Sequence, residues 1–265
     1  MTPTPPTTPT PTTTPTPSTL LADALRRDPA RPLLTFHDHA TGERTELSVA
    51  TFANWVAKTA NLLRDDLGAQ PGDRVSVRLP LHWQAAVLLQ AAWSLGMVVT
   101  PAGTEAEVAV VTHDDADPTA AEVVSLGLGP MGLARPGAEP AASSALDFDR
   151  EVHGHGDRFD GPAPAPGSAA YVDGAGALTA AALAGAAVAS EPPEGALLVT
   201  NPLDDREAVV GGLLVPLAHG LTAVLCRHAD PDRLSALAVQ ERVVAALGAP
   251  TGGLPAWRPT AASMP

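Results

Sequence analysis

The stretch Pro71 to Trp83, PGDRVSVRLPLHW, limits what this chain can fold into more than any other. Pro71-Gly72-Asp73 is a turn: proline presets φ, and glycine accepts backbone angles that a β-carbon resists. RVSVRL then alternates polar and apolar side chains as a strand does. Pro80 cannot donate to a strand ladder and closes it, and HWQAAVLLQAAWSL is long and apolar enough for a buried helix. Gly96 releases the chain into a second strand, MVVTP. Strand, helix and strand within residues 74–100 make a βαβ unit, which implies parallel pairing and a right-handed crossover.

Similar punctuation organises the rest. The opening MTPTPPTTPTPTTTPTPS has nothing apolar to bury and too few backbone donors, so residues 1–18 are expected to be a disordered, polyproline-like tail. Ser18 is expected to cap a short helix, TLLADALRRD, and PLLTFHD and RTEL read as strands around the turn HATGE. Ser48 caps a long helix, VATFANWVAKTANLLRDDL, that Gly68 stops, and EVAVVTHDD and AEVVSL add strands. A first α/β lobe thus covers 19–127. Residues 128–167 are rich in Gly, Pro and Ala and weakly periodic, as a long, partly mobile surface connection would be. A second lobe follows over 168–248, ending in a helix capped by Asp230 or Asp232 and a short strand, with 249–265 a loose tail.

The two lobes echo each other. Leu47-Ser48 to Phe52 matches Leu178-Thr179 to Leu183, and Pro80-Leu81 to Ala86-Val87 matches Pro202-Leu203 to Ala208-Val209, each at equal spacing. Two βαβ units in any Ala-rich chain share such spacing, so the echo is open to that simpler reading. Either way the fold class is α/β: two similar lobes with mostly parallel sheets flanked by helices. With aromatics at only 3% of residues, the core must rest on Leu, Val and Ala, with Trp55, Trp83, Trp93 and Trp257 as isolated large units.

A formal charge of −13 argues against nucleic acid or an anionic membrane as partner, because phosphate binding needs clustered cations. Lys58 is the single lysine among 16 basic residues and reads as a solvated surface charge. Cys226 is the single cysteine, so there is no disulfide framework; a reducing, cytoplasmic setting is the expectation, and a buried inert thiol is the default for its apolar strand. No apolar run reaches the ~18 residues of a membrane span, and no leader-like segment opens the chain.

Over LSVATFANWVAKTANLLRDDLGAQPGDRVSVRLPLHWQAAVLLQAAWSLGMVVTP, residues 47–101, the chain resembles the N-terminal part of adenylate-forming enzymes: acyl-CoA synthetases, luciferases and peptide-synthetase adenylation domains. A weaker match runs from about 168 to 248 through PLAHGLTAVLCR and ERVVAALG. The chain is most similar to a shortened adenylation-domain-like family of high-GC bacteria. The resemblance implies a Ser/Thr/Gly-rich loop ending in lysine, whose amides, hydroxyls and cation hold ATP phosphates. The corresponding stretch here is YVDGAGALT, Tyr171 to Thr179. It is shorter, lacks lysine, and places Asp173 where a hydroxyl is expected, so Asp173, Gly174, Gly176 and Thr179 mark a degenerate phosphate-loop position rather than a cradle. A histidine that the family often carries after its second-lobe proline is absent: Asp204 and Asp205 follow Pro202-Leu203, and His219 lies a helix later. The chain also stops before the family's later nucleotide motifs and its small C-terminal domain.

Other chemistry is sparse. His37-Asp38-His39 could place two imidazoles on one strand face, but it precedes a turn and reads as surface. His153, His155 and Asp157 lie among glycines and read as incidental loop residues, and His113-Asp114-Asp115 as a helix-leading turn. The expectation is therefore a non-catalytic protein, binding a small carboxylic acid or acyl thioester or a protein partner, with no catalytic residue, metal or cofactor. The alternatives are an acid–CoA ligase using ATP, AMP and Mg, active by itself or completed by a partner chain, and a structural partner of a full-length synthetase.

Overall fold

The computed structural model describes residues 14–115, 120–133, 137, 140, 142 and 144–260, so most of the expected tail, residues 1–13, lies outside the described residues. Helix α1 (Pro17–Arg27) begins earlier than its sequence suggests. Its cap is Thr16, not Ser18: Thr16 Oγ1 accepts from the Thr19 amide at 3.2 Å, and Thr19 Oγ1 accepts from the Thr16 amide at 2.7 Å. Pro17 makes this possible, since its ring presets the first helical φ and its missing N–H is not needed there. Ser18 instead donates to the Trp93 carbonyl at 3.3 Å. Thr16→Ala should therefore cost about 1 kcal/mol in a urea titration, whereas Ser18→Ala should leave the cap intact.

The chain continues through strands β1 (Pro32–Asp38) and β2 (Arg44–Ser48), helix α2 (Val49–Asp65), strand β3 (Arg74–Val77), helix α3 (Trp83–Leu95) and strand β4 (Val98–Thr100). The βαβ unit is present: β3 and β4 pair in parallel with Arg74 opposite Val98 and Ser76 opposite Thr100. Helix α3 is buried on nearly every face, and Gly96 ends it at φ 87°, a left-handed conformation that glycine takes without strain. Strands β5 (Val108–Thr112), β6 (Glu122–Leu126) and β7 (Leu146–Asp147) follow, then helix α4 (Phe148–Glu151). Next come β8 (Ala169–Asp173), β9 (Gly176–Thr179), α5 (Ala180–Val188) and β10 (Ala196–Val199). A helix in three parts follows: α6 (Arg206–Val209), a π-helical turn at Val210–Leu214, and α7 (Val215–His219). Strand β11 (Ala223–Arg227), helix α8 (Pro231–Gln240, capped by Asp230), β12 (Val243–Leu247) and β13 (Ala256–Trp257) complete the order.

Two mostly parallel sheets result, in the orders β13-β12-β10-β11-β1-β2 and β7-β6-β5-β3-β4-β8-β9. Among the named strands, antiparallel pairing is confined to the hairpins β1–β2 and β8–β9. The echo in the sequence is a repeat in the structure: hairpin, helix, strand, helix, strand, with Ser48 capping α2 and Thr179 capping α5. Phe52 and Leu183, at matched positions, are both fully buried.

The sheets do not follow the lobe boundaries, however. Hairpin β1–β2 joins β11 in the sheet of the second half, and hairpin β8–β9 joins β4 in the sheet of the first. Pairings across some 190 residues have no local signature, which is why spacing alone suggests sequential lobes. One core cluster consequently draws Phe36, Trp83, Leu88, Tyr171, Leu213 and Leu225 from the whole chain, with α1 packed on α2, α3, α5 and α7. Helix α8 covers a smaller cluster on the opposite face of the first sheet.

Two segments expected to be loose are held in place. In the connection, Phe148 and Val152 are fully buried, and the Asn61 side chain donates to the carbonyls of Gly156 (3.0 Å) and Arg158 (2.8 Å). The C-terminal stretch adds β13 in parallel to β12; Trp257 Nε1 donates to the Glu191 carbonyl at 3.2 Å, and the Thr260 amide to Ser190 Oγ at 3.1 Å. In both, the anchors are single side chains without periodicity, so composition hides them.

Candidate functional site at the carboxyl ends of the first sheet

In sheets of this kind ligands sit beyond the carboxyl ends of parallel strands. At that end of the first sheet lie Thr200 and Asn201 after β10, Gly248 after β12, and the start of α6. The tip of hairpin β8–β9 is tied to the same helix start. Asp173 and Gly176 pair across a two-residue turn, Gly174-Ala175, and Asp173 Oδ1 accepts from the Ala175 amide at 2.8 Å. Thr179 is occupied at the base of the hairpin as the cap of α5, accepting from the Ala182 amide at 3.1 Å.

The charge of Asp173 is met within the fold. Arg206, the first residue of α6, grips it with two bonds, Nε to Oδ2 at 2.7 Å and Nη2 to Oδ1 at 2.6 Å, and donates to the Gly176 carbonyl at 2.6 Å. The guanidinium holds the Asp173 carboxyl below its usual range. No sequence signal links two residues 33 positions apart, so the pair emerges only in the fold. Asp205 caps α6 by accepting from the Ala208 amide at 2.8 Å. Burial, reinforced by Asp205, raises the Asp204 carboxyl, whose backbone oxygen accepts from the Tyr171 hydroxyl at 3.3 Å.

The crevice that remains is small. It encloses about 40 Å³ between Thr200, Asn201, Asp205, Glu207 and Gly248. The π-helical turn brings backbone close on one side: a β-carbon on Gly211 would lie 2.4 Å from Leu247 Cδ1 and 3.4 Å from Pro259, and one on Gly212 would lie 2.8 Å from Leu203. Arg258, from the C-terminal stretch, pairs with Glu207 at the rim. Two roomier clefts, of about 450 and 400 Å³, flank the 157–169 connection, away from these strand ends.

The other candidate residues take structural roles. His37 is buried and bonds Glu241 Oε1 at 3.0 Å; His39 Nδ1 accepts from the Asp230 amide at 2.9 Å, with Nε2 3.6 Å from Cys226 Sγ. His37 is therefore interior and His39 half-buried, because α8 and the turn after it fold over that strand end. Burial pushes the Cys226 thiol up to about 11, as an inert thiol requires. His155 pairs with Asp66 at 2.9 Å and His153 packs on Trp55. Lys58 is not a free surface charge, since Nζ donates to the His155 carbonyl at 2.7 Å. At the carboxyl end of the second sheet, His113 lies beside Asp147 and Asp149, and residues 116–119, where a helix led by His113-Asp114-Asp115 would begin, lie outside the described residues.

Two mostly parallel sheets trading edge hairpins, with a crevice at the strand ends of one, match the N-terminal part of the adenylate-forming fold. Residues 21–120 match the family described as AMP-binding enzyme. A Mycobacterium tuberculosis protein described as a TIGR03089 family protein is 36% identical over 237 residues, covering 86% of this chain and 96% of its own. Among solved structures, the N-terminal domain of Mycobacterium tuberculosis FACL13 (TM-score 0.67, 15% identity) covers 87% of this chain and 62% of that one. Brucella canis acyl-CoA synthetase (TM-score 0.71, 15% identity) covers 86% and 46%. The chain thus spans less than two thirds of either solved protein. It belongs to the adenylate-forming, AMP-binding superfamily and is akin to the mycobacterial relative. No helix among the described residues is long and apolar enough to cross a membrane.

Proposed function

We propose that this chain is a non-catalytic member of the AMP-binding superfamily, a cytoplasmic binding or protein-interaction module that needs no nucleotide, metal or other cofactor for that role. The Asp173–Arg206 lock carries the reading. A phosphate cradle needs open amides and an available cation. Here the turn is a two-residue hairpin, and the cation beside it is spent on a carboxylate of the same hairpin. The crevice of about 40 Å³ is far below the roughly 300 Å³ at which small-molecule sites begin, so the residues present do not fit a nucleoside triphosphate. Asp204, Asp205 and Glu207 also make the rim unfavourable for a polyanion. A small carboxylic acid or an acyl thioester in one of the two roomier clefts, or a protein partner, remains as the occupant of such a module.

The expected result is no ATP–pyrophosphate exchange across a broad panel of carboxylic acids, and no melting shift with ATP or AMP with or without Mg²⁺. Exchange above background with any acid would overturn the proposal in favour of an acid–CoA ligase. The family's description as an AMP-binding enzyme is what favours that second reading.

A further inference from the structure

The carboxyl ends of three neighbouring parallel strands, β5, β6 and β7, bring together residues far apart in sequence. His113 follows β5, with its amide bonded to the Leu126 carbonyl of β6 at 2.8 Å. Asp147 ends β7 and Asp149 lies in the first turn of α4. One donor atom from each of His113, Asp147 and Asp149 lies within 4.8 Å of the others, and His113 Nε2 is 3.8 Å from Asp147 Oδ1.

All three side chains are withdrawn from solvent: His113 is 5% exposed at its side chain, Asp147 9%, and Asp149 2% as a residue. Among the described residues, neither ring nitrogen of His113 has a hydrogen-bond partner, and neither does either oxygen of Asp147, whose charge is met on one side by Arg150, with Nε 3.0 Å from Oδ2. Leaving a buried imidazole unsatisfied costs about 1–3 kcal/mol, and buried carboxylates cost several kcal/mol each unless compensated. At 3.8 Å, a protonated imidazole is too far to hydrogen-bond Asp147.

By contrast, Asp149 is held: Oδ2 accepts from the Gly127 amide at 2.7 Å and Oδ1 from Gln84 Nε2 at 3.4 Å, the kind of outer support that orients a ligating carboxylate. Gly127 is also where only glycine fits. A β-carbon there would sit 2.9 Å from Asp149 Oδ2 and 3.2 Å from His113 Nδ1.

We propose that His113, Asp147 and Asp149 hold a divalent transition-metal ion at the carboxyl ends of β5, β6 and β7, with one imidazole nitrogen and two carboxylates as its protein ligands. Donors about 2.1 Å from a tetrahedral ion stand roughly 3.4 Å apart, so the 3.8 Å between His113 Nε2 and Asp147 Oδ1 must close by a few tenths of an ångström, and no pair of the set, all within 4.8 Å, by more than about 1.4 Å. Two carboxylates balance the charge of the ion and leave the imidazole neutral. A mixed nitrogen and oxygen set suits Zn²⁺ or Co²⁺, whereas Mg²⁺ prefers oxygen alone. The site lies on the other sheet from the nucleotide-type crevice and is independent of whether the chain adenylates.

The test uses the full chain, stripped with chelator, loaded with Zn²⁺ and dialysed. One zinc per chain by mass spectrometry and a raised melting temperature are expected. Co²⁺ in its place should give visible d–d bands with no thiolate charge-transfer band. His113→Ala and the isosteric Asp147→Asn should each weaken retention by at least about 100-fold, while His39→Ala, beside the thiol, should change nothing. Failure to retain stoichiometric zinc, equal retention in folded Asp147→Asn, or a thiolate band assigning the ion to Cys226 would each overturn the proposal.

Discussion

Trp83→Ala should be the most damaging single substitution, costing about 3–5 kcal/mol in a urea titration followed by circular dichroism. The side chain is 1% exposed at the start of α3, the helix that the core surrounds. Its ring meets Trp55 edge-on, with centroids 5.1 Å apart, and the neighbouring backbone is moulded to both rings. A β-carbon on Gly132, at φ 70°, would lie 2.9 Å from Trp55 and 3.0 Å from Trp83. Against a typical domain stability of roughly 5–15 kcal/mol, the loss should leave a protein near its unfolding threshold. Trp83→Phe should be much milder. It keeps most of the ring and removes an indole N–H that has no partner among the described residues. Equal losses from the two variants would mean that the packing around the ring is not what stabilises this region.

Arg206→Ala should cost about 1–2 kcal/mol, the second largest effect, because it leaves the half-exposed Asp173 carboxylate without its ion pair and frees the Gly176 carbonyl. The cost should also depend on pH with a definite sign. Arg206 depresses the Asp173 carboxyl in the folded state, so the pair's contribution is complete above the unfolded carboxyl value of about 3.9 and fades as pH falls through the lower folded value. Wild type and Arg206→Ala should therefore differ fully at pH 7 and converge in strong acid. The double variant with Asp173→Asn should lose less than the sum of the singles, since the two residues share one interaction. A pH-independent difference would show that Arg206 acts through packing alone.

Much of this fold was legible in local chemistry. The turn at Pro71-Gly72-Asp73, the stop at Pro80, the release at Gly96 and the cap at Ser48 each rest on one residue's local chemistry, which tertiary context did not override, and of the two caps offered for α8 the fold uses Asp230. The echo of Leu47–Phe52 with Leu178–Leu183 was legible because matched burial demands matched spacing. What stayed hidden was pairing at a distance. Thr16 is one threonine in a uniform tract until Pro17 singles it out, and Arg206 is one arginine among many until the fold sets it against Asp173. The same holds at the second sheet's edge: His113, Asp147 and Asp149 carry no shared motif, and only three adjacent strand ends put them in one place.

The exchange of hairpins also sets the order of events during synthesis. When the first 127 residues have left the ribosome, β1–β2 has been made but its neighbour β11 has not, and β4 awaits β8. Neither sheet can close its hairpin edge until most of the chain exists. The nascent first half therefore waits with open β edges, and the last strands to appear, β11 to β13, complete the sheet that the earliest ones began.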